Sequence, residues 1–406
     1  MSEKSLDRKL RAIHSDPSGS NEFIIADAKD ADMAFGIGAP GRSPERHDGE
    51  ALYKTLADYR QQIRDVIRQQ VVDIVLMSAS TSEKLTIEER LFENSPVTPA
   101  ARANDTSDIH VVRGGKLHTE PARPFRTATI DHIQCGHLDC DPQERVLGVN
   151  LGLYSVTFNN SLERDLETVA RFKEFREEAE RKRFRYFLEV FDPNVPDVVE
   201  SDLLPRFIND LIARTLAGVP SAGRPLFLKM VYHGPAAMEE LVSYDPHLIV
   251  GILGGSAGTT LDAFLLISEA QKYGARIALF GRKINNAENQ LAFIEFLRHI
   301  VDGVIDPVEA VRAYHAVLEK LGVQPHRPLE EDLVVQTSVM SYGGSSTTVS
   351  LPTKNPAVAA IEKPAGPTVQ SPVDKGNNSE PPDLASMSSD ERLEYHRARL
   401  NRMLGE

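Results

Sequence analysis

Residues 224–273 read RPLFLKMVYHGPAAMEELVSYDPHLIVGILGGSAGTTLDAFLLISEAQKY, and this stretch decides the fold that we predict. It contains two apolar runs, 226–232 and 247–253, and a third at 276–280 follows directly. Near-continuous apolar runs are typical of strands that are covered on both faces of a parallel sheet. A glycine-rich turn joins the second run to an apolar-periodic segment, so the stretch predicts consecutive strand and helix units.

The same alternation extends from Phe23 to about Leu321 and indicates a parallel sheet. The predicted strands are Phe23–Asp27, Asp73–Met77, Phe125–Ile130, Val146–Tyr154, Tyr186–Phe191, Leu226–Tyr232, His247–Leu253 and Arg276–Phe280. The predicted helices are Leu52–Gln70, Leu162–Arg183, Leu203–Ala217, Thr259–Tyr273, Ala287–Val301 and Pro307–Leu321. This pattern favours an α/β protein with a (β/α)8 TIM barrel, with an open doubly wound sheet as the alternative. In this interpretation Glu93–Arg123 is a long polar insertion.

The composition changes toward both ends of the chain. Residues 1–20 are polar and are expected to form a flexible N-terminus, and residues 21–337 form the barrel. Residues 338–387 are rich in Pro, Ser and Gly, a composition that cannot bury a core and that predicts a flexible tail. Residues 388–406 end the chain, with a short charged helix predicted at Ser389–Leu404.

Composition and charge exclude several classes of protein. Of the 406 residues 41% are hydrophobic and 26% are charged, as in soluble globular proteins. A net charge of −13 argues against a general nucleic-acid or anionic-membrane surface. The chain has no run of eighteen apolar residues and no apolar signal core near its start. Its two cysteines give no disulfide framework, so we expect a cytoplasmic protein.

Lys229 is the lone lysine in the apolar run 226–232. Burial disfavours the ammonium form and lowers the pKa of a lysine, as nucleophilic attack on a carbonyl requires. The alternative is a strand-end lysine that reaches solvent, or one that pairs with Glu189 for structural reasons. From this residue alone the two interpretations stay open.

Two glycine-containing strand ends follow Lys229. Gly254, Gly255 and Ser256 lie between an apolar run and a helical segment, where backbone N–H groups and the helix N-terminus can bind a phosphate. A plain tight turn is the alternative, since the stretch matches neither a Walker A loop nor a dinucleotide fingerprint. Gly281 and Arg282 end the next strand and add an N–H group and a guanidinium.

Three further residues are candidates for proton transfer. Glu189 and Asp27 are lone carboxylates at or near the ends of apolar runs, and Tyr154 offers a phenol. A carboxylate beside a buried lysine can move protons or orient the amine. The structural alternative is a carboxylate that binds a neighbouring loop and, for Tyr154, packing in the core.

His132, Cys135, His137 and Cys140 bring zinc-ligand side chains into a short span. Their spacing matches no common zinc pattern, and such clusters also arise by chance. We therefore predict neither a catalytic metal nor a cofactor.

These residues, in the predicted barrel, resemble the class I (Schiff-base) aldolase superfamily, which includes deoxyribose-phosphate, tagatose-bisphosphate and archaeal-type fructose-bisphosphate aldolases. The resemblance implies that Lys229 is the Schiff-base lysine of strand six. It also implies that Gly254–Ser256 and Gly281–Arg282 hold the substrate phosphate. Asp27 and Glu189 resemble the acidic residues that some members carry on strands one and five.

The resemblance covers roughly residues 23–321 and is sharpest over 186–282. Strand seven lacks the second lysine of deoxyribose-phosphate aldolase, so that substrate is disfavoured. The segments 93–123 and 338–406 have no counterpart in the family. Members are usually oligomeric, which implies a homo-oligomer here.

The sequence therefore predicts a metal-independent carbon–carbon lyase that acts on a phosphorylated ketose through an iminium on Lys229. Glu189, Asp27 or Tyr154 moves the proton. One alternative is a sugar-phosphate isomerase or epimerase with Glu189 as base and Lys229 as electrophile. Another is a non-catalytic barrel that binds a metabolite and presents Ser389–Leu404 to a partner.

Overall fold

Eight parallel strands close into a barrel in the computed structural model, which describes residues 3–43, 53–255 and 258–337. In chain order the barrel strands are Ile24–Lys29, Ile74–Met77, Thr98–Arg102, Leu151–Thr157, Arg185–Phe191, Leu228–Met230, Gly251–Leu253 and Ile277–Phe280. We call them the first to the eighth strand. Each pairs with its neighbour in sequence, and the first pairs with the eighth through Ile24 and Ile277. The predicted barrel is confirmed.

Helices cover the barrel and occupy its two ends. They span Ser5–Ser15, Asp32–Phe35, Leu56–Gln69, Ala79–Ser82, Ile130–Cys135, Leu162–Arg181, Leu204–Ala217, Pro235–Tyr244, Thr260–Lys272, Arg282–Asn285, Gln290–Val301, Pro307–Leu321 and Leu329–Asp332. A π-helical turn, Glu83–Glu88, follows Ala79–Ser82. The predicted tail, including Ser389–Leu404, lies outside the described residues.

The third strand corrects the sequence prediction. It is Thr98–Arg102, which lies within the segment predicted as a polar insertion. The predicted strand Phe125–Ile130 instead contributes only to a two-residue strand, Pro124–Phe125, which pairs with Asp105–Thr106. The sequence TPAAR lacks branched apolar residues, and its polar ends point into the barrel, so an apolar run could not reveal it.

Alternate residues of each strand face the barrel interior or the helical layer. The interior cluster contains apolar residues from the strands and also Leu6, Leu10 and Ile13 of the N-terminal helix. Lys4 of the same segment donates to the carbonyls of Phe92 and Ser95, which precede the third strand. The N-terminal helix therefore closes the end of the barrel where the strands begin. The prediction of a flexible N-terminus is wrong over Ser5–Ser15.

The helix Leu162–Arg181 has its predicted bounds at one end and two fewer residues at the other. Its second half packs through Phe172, Phe175 and Ala179, but Leu162 and Leu166 in its first turns are exposed. Within the parts of the chain that the structure describes, no helix has both the length and the apolar character that crossing a membrane requires.

Candidate active site

Three polar residues form one row across the barrel interior. Ser155 on the fourth strand pairs in register with Glu189 on the fifth, and Glu189 pairs with Lys229 on the sixth. Side chains at matching positions of adjacent parallel strands point to the same face, with backbones about 5 Å apart. The register therefore brings a hydroxyl, a carboxylate and an amine together inside the barrel.

Glu189 is the centre of this row. Its Oε1 lies 2.5 Å from the Nζ of Lys229, and its Oε2 accepts a hydrogen bond of 2.6 Å from the Oγ of Ser155. Both members of the ion pair are buried, with side-chain exposures of 9% for Lys229 and 2% for Glu189. An amine and a carboxylate in direct contact can exchange a proton without an intervening water.

Arg102, at the end of the third strand, extends the row into a chain of alternating charge. Its Nε donates to Asp30 Oδ2 at 2.5 Å, and its terminal nitrogens lie 3.0 Å from Ser155 Oγ and 3.5 Å from Glu189 Oε2. Although burial opposes the charged form, these carboxylates raise the pKa of Arg102 above its ordinary value. A guanidinium that stays charged holds Glu189 in place from the side opposite Lys229.

Sequence reasoning missed Arg102, Asp30 and Ser155. Arg102 ends the third strand, which the apolar pattern of the sequence does not predict. Asp30 lies three residues after Asp27, beyond the apolar run that defined the first strand. Ser155 follows Tyr154 and carries no signal of its own. The sequence does place Asp30 near the end of a strand, which is where site residues of such barrels lie. Asp27 is also near that end, so position alone does not show which of the two carboxylates faces the cavity.

One cavity of about 110 Å³ joins this row to the two glycine-containing strand ends. It opens at the end of the barrel where the strands terminate, as the active sites of such barrels do. Its lining includes Ala28, Asp30, Phe35, Arg102, Ile109, Glu189, Phe191, Lys229, Leu253, Gly254, Gly255, Leu279, Gly281 and Arg282. Six of the predicted site residues are thus in one place, and Ser256 lies outside the described residues.

Gly255 and Gly281 suit a close approach of backbone to a small anion. Gly255 has a φ of +58°, and no atom lies within 4 Å of where a Cβ would be. A Cβ on Gly281 would lie 2.9 Å from the carbonyl oxygen of Ala28, so a side chain there would displace the first strand. The guanidinium of Arg282 lies 5.9 Å from the ring of Phe35, and burial lowers its pKa.

The N-terminus of the helix Thr260–Lys272 is occupied by the protein's own carboxylates. Thr259 N–H donates to Asp262 Oδ2 at 2.7 Å, and Thr260 N–H donates to Asp332 Oδ1 at 2.8 Å. The amide of Gly254 likewise bonds Leu279 O at 2.9 Å. The expectation that this helix end binds an anion is therefore corrected, because Asp262 and Asp332 already satisfy it.

Asp27 and Tyr154 do not reach the cavity. Both point from their strands into the helical layer, where Tyr154 stacks on Phe175 with ring centroids 4.3 Å apart. Asp27 is fully buried, with its Oδ2 3.2 Å from the Nζ of Lys29. Burial raises the pKa of Asp27 to about 6, while Lys29 opposes the rise. Neither side chain is therefore placed to move a proton at Lys229.

The cavity lining offers a limited set of ligand atoms for a metal ion. Among the described residues, the one cluster of three side chains with metal-ligand spacing is Cys135, His137 and Glu144, and none of them lines the cavity. Asp30 and Glu189 both contact Arg102, which occupies the space between their carboxylates.

No family model matches the sequence, and no curated protein matches it. Solved structures do match. An archaeal fructose 1,6-bisphosphate aldolase superposes with a TM-score of 0.51 and 14% identity, over 73% of this chain and 99% of the other. A Schiff base forming fructose-1,6-bisphosphate aldolase gives 0.50 and 15%, over 73% and 100%.

A fructose-bisphosphate aldolase from Slackia heliotrinireducens gives a TM-score of 0.54 and 12% identity, over 77% of this chain and 91% of the other. These identities are too low to transfer an activity, and what they establish is the architecture. The chain has the same (β/α)8 barrel fold as these fructose-bisphosphate aldolases.

Proposed function

We propose that the protein is a class I aldolase-like lyase that cleaves or forms a phosphorylated ketose through a Schiff base on Lys229. The observation that carries the proposal is the contact of Lys229 with Glu189 in a cavity that also reaches Gly255 and Arg282. The shared fold of known Schiff-base aldolases supports it.

Carbinolamine formation is the first step of this mechanism. Glu189 takes a proton from the ammonium of Lys229, and the neutral amine attacks the ketone carbon. The resulting alkoxide takes the proton held by Glu189, and Glu189 takes a second proton from the attached nitrogen, which gives the neutral carbinolamine. Glu189 then returns the proton to the carbinolamine hydroxyl, which leaves as water, and the C=N⁺ bond of the iminium forms. Ser155 and Arg102 hold the carboxylate in place during both transfers.

Carbon–carbon cleavage follows from the iminium. Glu189 accepts the proton of the C4 hydroxyl, the C4–O bond becomes a carbonyl, and the C3–C4 electron pair moves to the iminium to give an enamine. Protonation of the enamine at C3 and addition of water release the second product and regenerate Lys229. No step in this sequence requires a metal ion or a cofactor.

Phosphate binding supplies orientation in this proposal. Gly255, Gly281 and Arg282 line the same cavity as Lys229, and we assign them, together with Ser256, to the substrate phosphate. Binding energy from a group that does not react can position the scissile bond and so raise kcat. A cytoplasmic location and a homo-oligomeric state remain predictions.

Substitution of the two central residues tests the function. Lys229→Arg keeps a positive charge but forms no iminium, so it should abolish cleavage of phosphorylated ketoses. Glu189→Gln keeps the amine and should lower kcat by about 10²–10⁴. If Lys229→Arg still turned over a phosphorylated ketose at a rate near that of Glu189→Gln, the result would instead support an isomerase or epimerase. In such an enzyme Lys229 would contribute only its positive charge.

A further inference from the structure

The second cluster of reactive side chains lies where the chain approaches the start of the fourth strand. The helix Ile130–Cys135 ends at Gly136, and the chain reverses through Gly136 and Asp139, which have φ values of +86° and +55°. This reversal returns Cys140 to Cys135, with their Cα atoms 6.0 Å apart. The two sulfurs are paired as a disulfide, which the sequence did not lead us to expect.

His137 and Glu144 lie beside this pair. Cys135 Sγ, a ring nitrogen of His137 and a carboxylate oxygen of Glu144 are all within 4.8 Å of one another. His137 Nε2 lies 3.4 Å from Glu144 Oε2, while Nδ1 lies 2.8 Å from the carbonyl of Leu138. An Nδ1–H that donates to a carbonyl leaves the Nε2 lone pair for a metal, which is the usual arrangement of a histidine ligand.

These four side chains have the chemistry of a zinc site. Thiolates, an imidazole and a carboxylate in tetrahedral order are what Zn²⁺ prefers, with bonds of about 2.0–2.3 Å. Ligand atoms around such an ion lie about 3.3–3.8 Å apart, so small side-chain rotations would bring Cys135, His137 and Glu144 to that spacing. Cys140 lies beside the sulfur of Cys135, and its thiolate would have to turn toward the other ligands. The sulfurs become ligands only as thiolates, and the disulfide must therefore be reduced first.

We propose that Cys135, His137, Cys140 and Glu144 bind one Zn²⁺ when the cysteines are reduced. A phosphine supplies two electrons and takes the oxygen of one water to become a phosphine oxide, and the two protons of that water complete the conversion of the disulfide to two thiols. Zn²⁺ then displaces both thiol protons to solvent and binds two thiolates, while the imidazole and the carboxylate bind unchanged. The same residues thus hold either a disulfide or a metal ion, according to the redox conditions.

The N–H of Asp141 donates to Glu144 Oε2 at 3.0 Å, and further bonds that do not involve the four side chains also hold the loop. Asp131 Oδ2 accepts the N–H of Asp139 at 3.2 Å and pairs with Lys182 Nζ at 2.7 Å. Gly148 N–H donates to Gln134 O at 2.9 Å. Because the loop leads into the beginning of the fourth strand, the site lies at the end of the barrel opposite the cavity. The ion would therefore stabilise the fold and take no part in the proposed lyase chemistry.

Zinc content of the full chain tests the proposal. The protein is reduced with a phosphine, freed of reductant without oxygen, equilibrated with Zn²⁺ and assayed by atomic emission and thermal unfolding. We expect about one zinc per chain, with a raised Tm, and an affinity at least about tenfold lower in His137→Ala and in Glu144→Gln. His132→Ala, whose ring bonds Thr129, is the matched control and should bind as the wild type does.

Three results would overturn the proposal. The first is less than one zinc per chain in the reduced protein. The second is zinc binding by the oxidised protein that equals binding by the reduced protein. The third is a zinc affinity of His137→Ala and Glu144→Gln that equals the affinity of the control His132→Ala. Cys140→Ser gives an independent check through folding, since circular dichroism reports whether the variant is native before its zinc is measured. A native Cys140→Ser protein with undiminished zinc affinity would also exclude the site.

Discussion

At the scale of residues, Lys229 and Lys29 are two of the three buried lysines in the described chain, and each lies on a barrel strand beside a carboxylate. The face of the strand determines what each can do. Lys229 points inward and borders the cavity, with Glu189 beside it. Lys29 points into the helical layer, where it pairs with Asp27 and donates to Asn285 and to Gln290. The first pair is accessible to a small molecule, whereas the second holds the helix that follows Gly281 against the first strand.

Strands covered on both faces explain why the sequence predicted Lys229 and Glu189 but misassigned Asp27. Such strands lack polar alternation, so nothing in the run 23–29 shows which residues face inward. Lys229 and Glu189 were identified because each is a lone charge within an apolar run. Arg102 and Asp30 follow less apolar segments, and their contact across 72 residues depends on barrel closure.

The Asp27–Lys29 pair predicts a measurable pH dependence of stability. Because burial raises the pKa of Asp27 from 3.8 to about 6, the native state holds more protons than the unfolded state between about pH 4 and 6. The contribution of Asp27 to the unfolding free energy therefore falls by about 3 kcal/mol as the pH rises through that window. Asp27→Asn removes this titration. The unfolding free energy of the variant, relative to that of the wild type, should therefore rise by the same amount over this pH window.

Urea denaturation at several pH values measures this difference. Asp27→Asn should be about as stable as the wild type near pH 4, where the folded protein holds Asp27 protonated, and should become the more stable of the two toward pH 7, where the wild type must bury the charged carboxylate. Glu163→Gln, at a side chain that is 82% exposed, is the control whose curve should run parallel to the wild type. Parallel curves for Asp27→Asn would show that Asp27 titrates normally in the folded protein.

At the scale of elements, the N-terminal helix Ser5–Ser15 is part of the barrel core. Leu6 is fully buried against the interior cluster, and Lys9 pairs with Asp73 at 2.9 Å at the start of the second strand. The residues Leu6, Leu10 and Ile13 do follow helical spacing. Only three apolar residues are needed to close the narrow end of the barrel. The other residues of 1–20 are mostly polar, and their composition obscured the helical spacing of these three.

Two leucine substitutions compare the N-terminal helix, whose Leu6 is buried in the core, with the exposed first turn of the helix Leu162–Arg181. Leu6→Ala should lower the unfolding free energy by about 2–5 kcal/mol, as expected for a leucine removed from a packed interior. Leu162→Ala, at a side chain that is 80% exposed, should change it by less than about 0.5 kcal/mol. Chemical denaturation measures both. A small effect of Leu6→Ala would mean that the helix is not needed to close the barrel.

At the scale of the whole molecule, the alternation of strands and helices was sufficient to predict the barrel and the end at which its cavity opens. The predicted glycine turns and Lys229 meet because parallel strands all end at one rim. The third strand and the capping of the helix Thr260–Lys272 by Asp332 could not be predicted. Both depend on contacts between segments distant in sequence, the latter across 72 residues.

Removal of the residues after Ser338 tests whether the barrel carries the activity alone. Every residue of the cavity lies before this point, and Thr337 N–H bonds Asp262 Oδ1 at 3.1 Å near the end of the described chain. The truncated protein should keep the kcat and KM of the full chain for a phosphorylated ketose. Unchanged folding with lost turnover would instead assign a role in the reaction to residues 339–406.

Covalent trapping at Lys229 tests the central claim most directly. The intact protein is incubated with dihydroxyacetone phosphate and borohydride, digested and sequenced by mass spectrometry, with Lys229→Arg as the control. We expect a reduced adduct on Lys229 and none on Lys29, which is buried in the helical layer. Binding of the phosphorylated ketone without any adduct on Lys229 would contradict the Schiff-base mechanism.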